Sequence, residues 1–337
     1  MSETVGAVGE RGLLARIRAR VPGPPAGVTI GIGDDAAVLA PAGRTHAVVT
    51  VDSLVERIHF DRRWSSPADV GHKALAVNLS DLAAMGASPE WALLSLAMPG
   101  DWPVAEFDGV LDGLLALAAA HGVAVIGGNL ARTDGPLVVN VTCGGACRPR
   151  RVLLRSGGRP GDDLYVSGTL GAAAAGLEML QAGHDAAGAD EAACVARHRR
   201  PDPRVRLGVA IGRARAARAA MDLSDGLADA VRQVAEASGT GASIDAAAVP
   251  VAPGARRWFA SRGEDAVSRT LAGGEDYELL LAVPPKWRGR LRNARRHAAE
   301  PGLTRIGTLT KDRALVVRRA DGEGPLPDGF EHFRRDG

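Results

Sequence analysis

Short aliphatic runs alternate with longer stretches of helical spacing along almost the whole chain. Residues 28–30, 46–51, 123–126, 137–142, 163–167 and 277–283 are runs of strand length rich in Val, Ile and Leu. The run 123–126 has no polar position, which is the pattern of a buried strand. Between the runs, helices are predicted over residues 10–20, from Ser66-Pro67 toward Gly86, and over 106–121. Further helices are predicted after Thr169 and over 204–218, 226–237 and 286–298, and 303–319 reads as a strand pair. Ser66 followed three residues later by Asp69 is a capping box, Pro67 suits a first helical turn, and Gly86 is a C-terminal stop, with Ser80 as the possible cap of a second, shorter helix. Leu170, Leu177 and Leu180 form one apolar stripe, and residues 183–197 read as a surface loop or short helix.

One feature breaks the pattern. In Lys73-Ala-Leu-Ala-Val-Asn-Leu-Ser-Asp81-Leu-Ala-Ala-Met-Gly86, Asp81 falls four residues after Val77 and four before Met85, on the face that should be dry. An unpaired carboxylate is costly there. The same Leu-Ser-Asp core returns in the second half, in Met221-Asp222-Leu-Ser-Asp225-Gly226. Asp34-Asp35, Asp52 and Glu275-Asp276 are further acids set beside glycines or at the end of an apolar run. A divalent metal, with a polyphosphate, is the reading taken for their partner; the alternative for Asp81 alone is a helix cap or a hydrogen-bonded buried acid.

Composition narrows the class. The 337 residues favour two domains, divided near residue 150 where the stretch 148–161 mixes Arg, Gly and Pro. Apolar residues make up 46% of the chain and aromatics only 4%, so the interior is aliphatic, as in helices packed on sheets. A net charge of +2 gives no general attraction to nucleic acid or to a membrane surface. Three cysteines, Cys143, Cys147 and Cys194, fit reduced thiols in the cytoplasm rather than a disulfide framework. The charged N-terminal segment lacks the apolar core of a secretory signal, and no run of transmembrane length is free of charge or Pro.

Candidate chemistry follows by exclusion. Gly31-Ile-Gly33-Asp34-Asp35-Ala36 formally matches a dinucleotide fingerprint, but Pro41 and Gly43 leave no room for its helix, and the two aspartates would repel bare phosphate. With a metal between, the same loop attracts phosphate. No Walker-type loop, protein-kinase motif set or G-x-S-x-G elbow occurs. What remains is acids on both halves of the chain, the manner in which oxygen-ligand Mg²⁺ sites are built when substrate phosphates complete the coordination. A nucleoside triphosphate is the natural candidate.

At these residues a resemblance enters. Gly31-Ile-Gly-Asp-Asp35, Asp52-Ser-Leu-Val with His59-Phe60, Lys73 to Ala87, Met221-Asp-Leu-Ser-Asp-Gly226 and Gly273-Gly-Glu-Asp-Tyr-Glu-Leu279 resemble, in order, the motifs of the thiamine-monophosphate kinase family. That family is related to aminoimidazole ribonucleotide synthetase. The resemblance implies an α/β (α+β) two-domain fold of mixed sheets covered by helices, with residues 1–150 carrying the metal and ATP site and the dimer interface, and 151–337 completing the active site. It implies a cytoplasmic homodimer that converts ATP and thiamine monophosphate to ADP and thiamine diphosphate, the last step in making that product, with Mg²⁺ required.

The same resemblance implies Mg²⁺ at Asp35, Thr50, Asp52, Asp81, Asp222 and Asp225, with Val51 offering a backbone carbonyl; Asp35, Asp52, Asp81 and Asp222 are the catalytic set. It implies ATP contacts at Gly128, Arg155 and Ser224. Asn129, where the family often has Asp, is kept as an ATP-loop or metal residue. His59 and Glu275 are implied to contact the thiamine phosphate, and Phe330 to cover its ring, since Pro327 stands where some relatives have Trp. Aminoimidazole ribonucleotide synthetase activity is the alternative enzyme reading, and a metal-nucleotide-binding regulator without turnover the alternative from another class.

Overall fold

The structure, a computed structural model, describes residues 28–30, 34–40, 44–299 and 302–329. The predicted helix over 10–20, Gly31, Gly33 and Phe330 lie outside the described residues.

The organising element is helix α1 (Pro67–Ala84). Ser66 Oγ accepts from the Asp69 N–H at 3.2 Å while Asp69 accepts from the Ser66 N–H at 2.9 Å, so the capping box forms as predicted. Gly86, at φ 68°, ends the helix in a left-handed turn, with the Ala87 N–H reaching Leu82 O at 2.8 Å. Ser80 caps nothing; it is fully buried in the middle of a single helix. Small residues let neighbouring backbones approach. A Cβ on Gly71 would stand 1.9 Å from Val110 O, and one on Gly113 2.0 Å from Ala68 O, so α1 and α2 (Val104–His121) touch backbone to backbone.

A six-stranded sheet lies against these helices, formed by β1 (Val28–Ile30), β2 (Ala37–Leu39), β3 (His46–Val55), β4 (Ser88–Met98), β5 (Ala124–Arg132) and β6 (Val138–Cys147). Its order is β1-β2-β3-β6-β4-β5, antiparallel except for the β4/β5 pair. The expectation of a buried strand at 123–126 is corrected: every residue of β5 is exposed. It occupies the sheet edge, and an aliphatic run cannot distinguish a strand covered by its own chain from one left open.

The second sheet holds β7 (Asp163–Ser167), β8 (Ala219–Asp222), β9 (Gly241–Asp245), β10 (Leu279–Val283), β11 (Leu303–Thr310), β12 (Leu315–Arg319) and β13 (Gly322–Pro325), in the order β13-β12-β9-β11-β7-β10-β8. The strands predicted over 303–319 exist but do not pair with each other. Strand β9 lies between them, antiparallel to β11 and parallel to β12, so sequence proximity gives the wrong neighbour. Around this sheet run α3 (Ala172–Gln181), α4 (Ala189–Arg199), α5 (Val205–Ala214), α6 (Leu227–Ser238), α7 (Pro253–Ser261), α8 (Ala266–Ala272) and α9 (Arg288–Ala298). Of the segment 183–197, predicted as a loop or short helix, residues 183–188 are loop and the rest belongs to α4. The predicted stripe on α3 is also displaced: Ala172, Ala173, Ala175, Gly176 and Met179 are buried, while Leu177 and Leu180 are only partly so. Close helix packing selects small residues for its inner face.

The two sheets do not have wholly separate interiors. The core around α1 includes Val205, Leu207 and Ile211 of α5, Leu291 and Ala294 of α9, and Leu279, Leu281 and Val283 of β10. A second core under α6 and α7 contains Leu164, Val234, Phe259 and Ile306. Helix α1 also packs on β8, so the end of the second sheet is brought to the helix that carries Asp81. The fold is a two-domain arrangement of mixed sheets covered by helices, as predicted.

Candidate active site

Four segments of chain bring acids to one place. The turn before β2 carries Asp35, strand β3 carries Thr50 and Asp52 on the face toward α1, α1 carries Asp81 two turns after Lys73, and β8 ends at Asp222. Carboxylate oxygens of Asp35, Asp81 and Asp222 lie within 4.8 Å of one another. They line a cavity of about 240 Å³ with Thr50, Val51, Asp52, Arg155, Ser224 and Tyr277. The two Leu-Ser-Asp copies are not used alike, because the first lies within a helix and the second in the turn after β8. Asp222 rather than Asp225 joins Asp81 at the cavity, and Ser80 Oγ donates to Asp222 Oδ2 at 2.7 Å.

The electrostatics are those of an anionic cluster short of positive charge. Burial, and then repulsion from Asp52, Asp222 and Asp35, pushes the Asp81 carboxyl well above the usual carboxylate range. Burial and Asp35 do the same to Asp222. Asp52 is raised by burial, partly offset by its hydrogen bond with Asp81. Asp34, buried beside Asp35, is raised to about 6. Thr50 Oγ1 donates to Asp81, but Asp35 Oδ2 is buried without a hydrogen-bond partner. Such a buried oxygen is costly unless something else meets it.

Arg155 supplies one fixed cation. Its guanidinium donates to Asp35 Oδ1 at 2.6 Å and to Gln233 Oε1 at 2.5 Å, and its backbone N–H reaches both Asp34 oxygens at 3.2 Å. Burial opposes its charge, but Asp35 outweighs that and raises its pKa.

The Gly-Gly-Glu-Asp stretch forms the wall beyond. A Cβ on Gly274 would stand 2.5 Å from Ser224 O, so only glycine lets this turn lie on the turn after β8. The Glu275 N–H donates to Ser224 O at 2.6 Å and the Tyr277 N–H to Leu223 O at 3.0 Å, with both residues at positive φ, 67° and 49°. Backbone in that region is held at a cost of order 1–3 kcal/mol per residue, a pattern that clusters at functional sites. Asp276 faces away, accepting from the Gly171 N–H at 2.6 Å and the Ala173 N–H at 3.2 Å at the start of α3.

His59 sits in the turn after β3, its Nδ1 accepting from the Val55 N–H at 3.0 Å, which leaves the ring proton of a neutral imidazole on Nε2. Lys73, 2% exposed, spans from this turn to Glu275: its Nζ is 2.8 Å from His59 O and 2.7 Å from Glu275 Oε1. His198 of α4 is 2.9 Å from Glu275 Oε2. Sequence reasoning noted neither Lys73 nor His198 as a site residue. The signal for Lys73 was present, since it lies eight residues before Asp81 on the same helix face and is likewise a charge among apolar neighbours.

Several predicted positions stand apart. The Val51 side chain is 62% exposed, so its backbone is what it offers to the cavity. Gly128 lies across the sheet from Asp52 through Leu94 and Val141, three strand spacings or about 14 Å away, and Asn129 follows it on the exposed edge. Neither lines the cavity. Asp225 lies near Tyr277, and Gly329 packs against Asp225 and Asp229; Phe330 is outside the described residues.

Residues 33–147 match the N-terminal domain of AIR synthase related proteins, and residues 159–319 match the C-terminal domain. The thiamine-monophosphate kinase of Escherichia coli (strain K12) is 41% identical over 330 residues, 97% of this chain and 99% of that protein. The thiamine-monophosphate kinase of Bacillus subtilis (strain 168) is 35% identical, covering 91% and 94%. Among solved structures, AaThiL complexed with AMPPCP and TMP superposes with a TM-score of 0.87 at 30% identity, covering 98% of this chain and 99% of that one. With nearly the whole length matched and the acidic site assembled from both halves, the chain belongs to the AIR synthase related family, in its thiamine-monophosphate kinase branch.

Proposed function

We propose that this protein transfers the γ-phosphoryl group of ATP directly to thiamine monophosphate, giving thiamine diphosphate and ADP. The observation that carries this reading is the convergence of Asp35, Asp81 and Asp222, from a loop, a helix and a strand end, on one cavity with Arg155 at its side.

The donor set fits a divalent cation. Clustered carboxylates whose charges repel, together with the unpartnered Asp35 oxygen, are the hard oxygen ligands that Mg²⁺ takes. Asp35, Asp52, Asp81 and Asp222 would hold it, with Thr50 and the Val51 carbonyl as further oxygens; Asp225, outside the cavity lining, is not among them. When bound, Mg²⁺ would neutralise the charge of the two phosphate-bearing reactants.

The acceptor needs no general base. A phosphate monoester has a second pKa of about 6, so near neutrality it already carries a nucleophilic oxygen. The obstacle is repulsion between two anions, and catalysis reduces to positioning and charge neutralisation. Arg155, fixed by Asp35 and Gln233, is suited to hold a phosphoryl oxygen without first losing conformational freedom. Ser224, lining the same cavity, is assigned to ATP, and Gly128 and Asn129 would meet nucleotide from the open sheet edge. His59, donating from Nε2, orients the acceptor phosphate rather than removing a proton, and Glu275 and Phe330 complete its recognition.

The exposed aliphatic edge also supports a homodimer. Val125, Ile126 and Leu130 of β5 and Val51 and Leu93 of the open face are large apolar residues left uncovered. Among the described residues no helix is long and apolar enough to cross a membrane, and all three cysteines are free and buried; we assign the protein to the cytoplasm.

Purified protein with Mg-ATP is expected to release ADP only when thiamine monophosphate is added. Release with formylglycinamidine ribonucleotide instead would favour the synthetase reading, and tight ATP binding without turnover the regulator.

A further inference from the structure

Lys73 is among the largest fully buried side chains, and its ammonium holds two segments far apart in sequence. One is the turn after β3, through His59 O, and the other is the strained turn after Gly274, through Glu275. His198, 3% exposed, sets its Nδ1 2.9 Å from the remaining Glu275 oxygen, close but not aligned as a hydrogen bond, and also lines a cavity of about 190 Å³ with Ile58, His59, Phe60 and Trp64. Burial opposes the Glu275 charge, but Lys73 and then His198 outweigh it and pull the carboxyl down to about 2. Burial and the adjacent Lys73 lower the pKa of His198, which favours the neutral ring beside Glu275.

Stability alone does not account for this arrangement. A buried ion pair replaced by apolar residues of similar volume is often neutral or stabilising, so Met and Leu in place of Lys73 and Glu275 would serve packing as well. What such a pair lacks is the ability to tie a backbone carbonyl and a carboxylate to one point. Freed from that point, the 56–60 turn and the 274–277 turn could shift relative to each other, and a misplacement of about 1 Å can lower a rate on the order of 10²-fold.

We propose that Lys73, supported by His198, is a positioning residue that locks His59 and Glu275 into the single arrangement that recognises the organic phosphate acceptor, without touching ATP. The proposal rests on the reading of the site given above. It assigns to Lys73 an effect on one substrate only, which a general packing role would not produce.

The test measures KM for thiamine monophosphate and for ATP, kcat and melting temperature in Lys73→Met, Glu275→Gln, the double variant and His198→Gln. In Lys73→Met the KM for the acceptor should rise about 10-fold or more, with that for ATP within about 2-fold. The double variant should be no worse than Glu275→Gln alone, because both act through one arrangement. Should Lys73→Met fail to fold, the double variant, which leaves no buried charge unpaired, and His198→Gln carry the test, His198→Gln by a smaller rise in the same KM. Unchanged acceptor KM in the folded variants, equal rises for both substrates, or losses that multiply in the double variant would each overturn the proposal. Wild-type protein that turns over thiamine monophosphate while the variants keep their KM overturns this proposal alone; wild-type protein inert toward that acceptor overturns the functional reading and this proposal with it.

Discussion

Ser80 Oγ donates a hydrogen bond of 2.7 Å to Asp222 Oδ2, joining two residues 142 positions apart. Each belongs to, or borders, one of the Leu-Ser-Asp copies, and the bond fixes the end of β8 on the middle of α1. This bond is one of the contacts that close the seam at which the acidic cluster is assembled.

Asp81 is central to that cluster and is destabilised there, so its removal should separate function from folding. Asp81→Asn is expected to lower phosphoryl transfer on the order of 10²–10³-fold. Without a cation its melting temperature should equal or exceed wild type, because a repelled buried charge is gone. ADP release and thermal unfolding of the same preparation check both halves, and unimpaired turnover would remove Asp81 from the mechanism.

Cation binding should be visible without catalysis. Mg²⁺ at about 100 times its dissociation constant stabilises the folded state by about 2.7 kcal/mol, a rise in melting temperature of roughly 4 °C for a chain of this size. Asp222→Asn should lose most of that rise. A wild-type melting temperature indifferent to Mg²⁺ would refute the cation site.

Arg155 makes two side-chain hydrogen bonds in a planar fork, which lysine cannot reproduce. Arg155→Lys is expected to keep the fold and lose on the order of 10²-fold in kcat, the consequence of a phosphoryl group held out of line. Steady-state kinetics at saturating thiamine monophosphate would show it, and a loss confined to the KM for that acceptor would not fit.

The pH dependence of stability should carry a contribution from Asp276. Burial raises its folded pKa to about 7 from 3.8, against the lowering effect of the Gly171 and Ala173 N–H groups. Because the native state keeps this proton longer, the contribution is fully present below pH 3.8 and is lost as pH rises through about 7. Asp276→Asn should therefore shrink the fall in stability between about pH 5 and pH 8, measured by urea unfolding at both values. An unchanged difference would show that Asp276 ionises normally.

Strand β5 should be a contact between copies. Ile126→Asp with Leu130→Glu places charge on an exposed apolar edge and should convert dimer to monomer in sedimentation velocity, with no loss of secondary structure. A wild-type monomer at micromolar concentration would refute the interface.

Local chemistry determined a great deal by itself. The capping box at Ser66 and Asp69, the stop at Gly86 and the alternation of aliphatic runs with helical spacing are statements about neighbouring residues, and the fold bears them out. The misplaced charge at Asp81 was legible for the same reason, since a carboxylate on a dry helix face needs a partner wherever that partner comes from. Tertiary structure alone decided which partners meet. It inserted β9 between β11 and β12, left β5 open at the sheet edge, chose Asp222 over Asp225 for the cavity, and set Lys73 between His59 and Glu275. Those outcomes depend on the packing of segments that are not neighbours in sequence, and neither hydrophobic period nor local propensity carries information about contacts at that range.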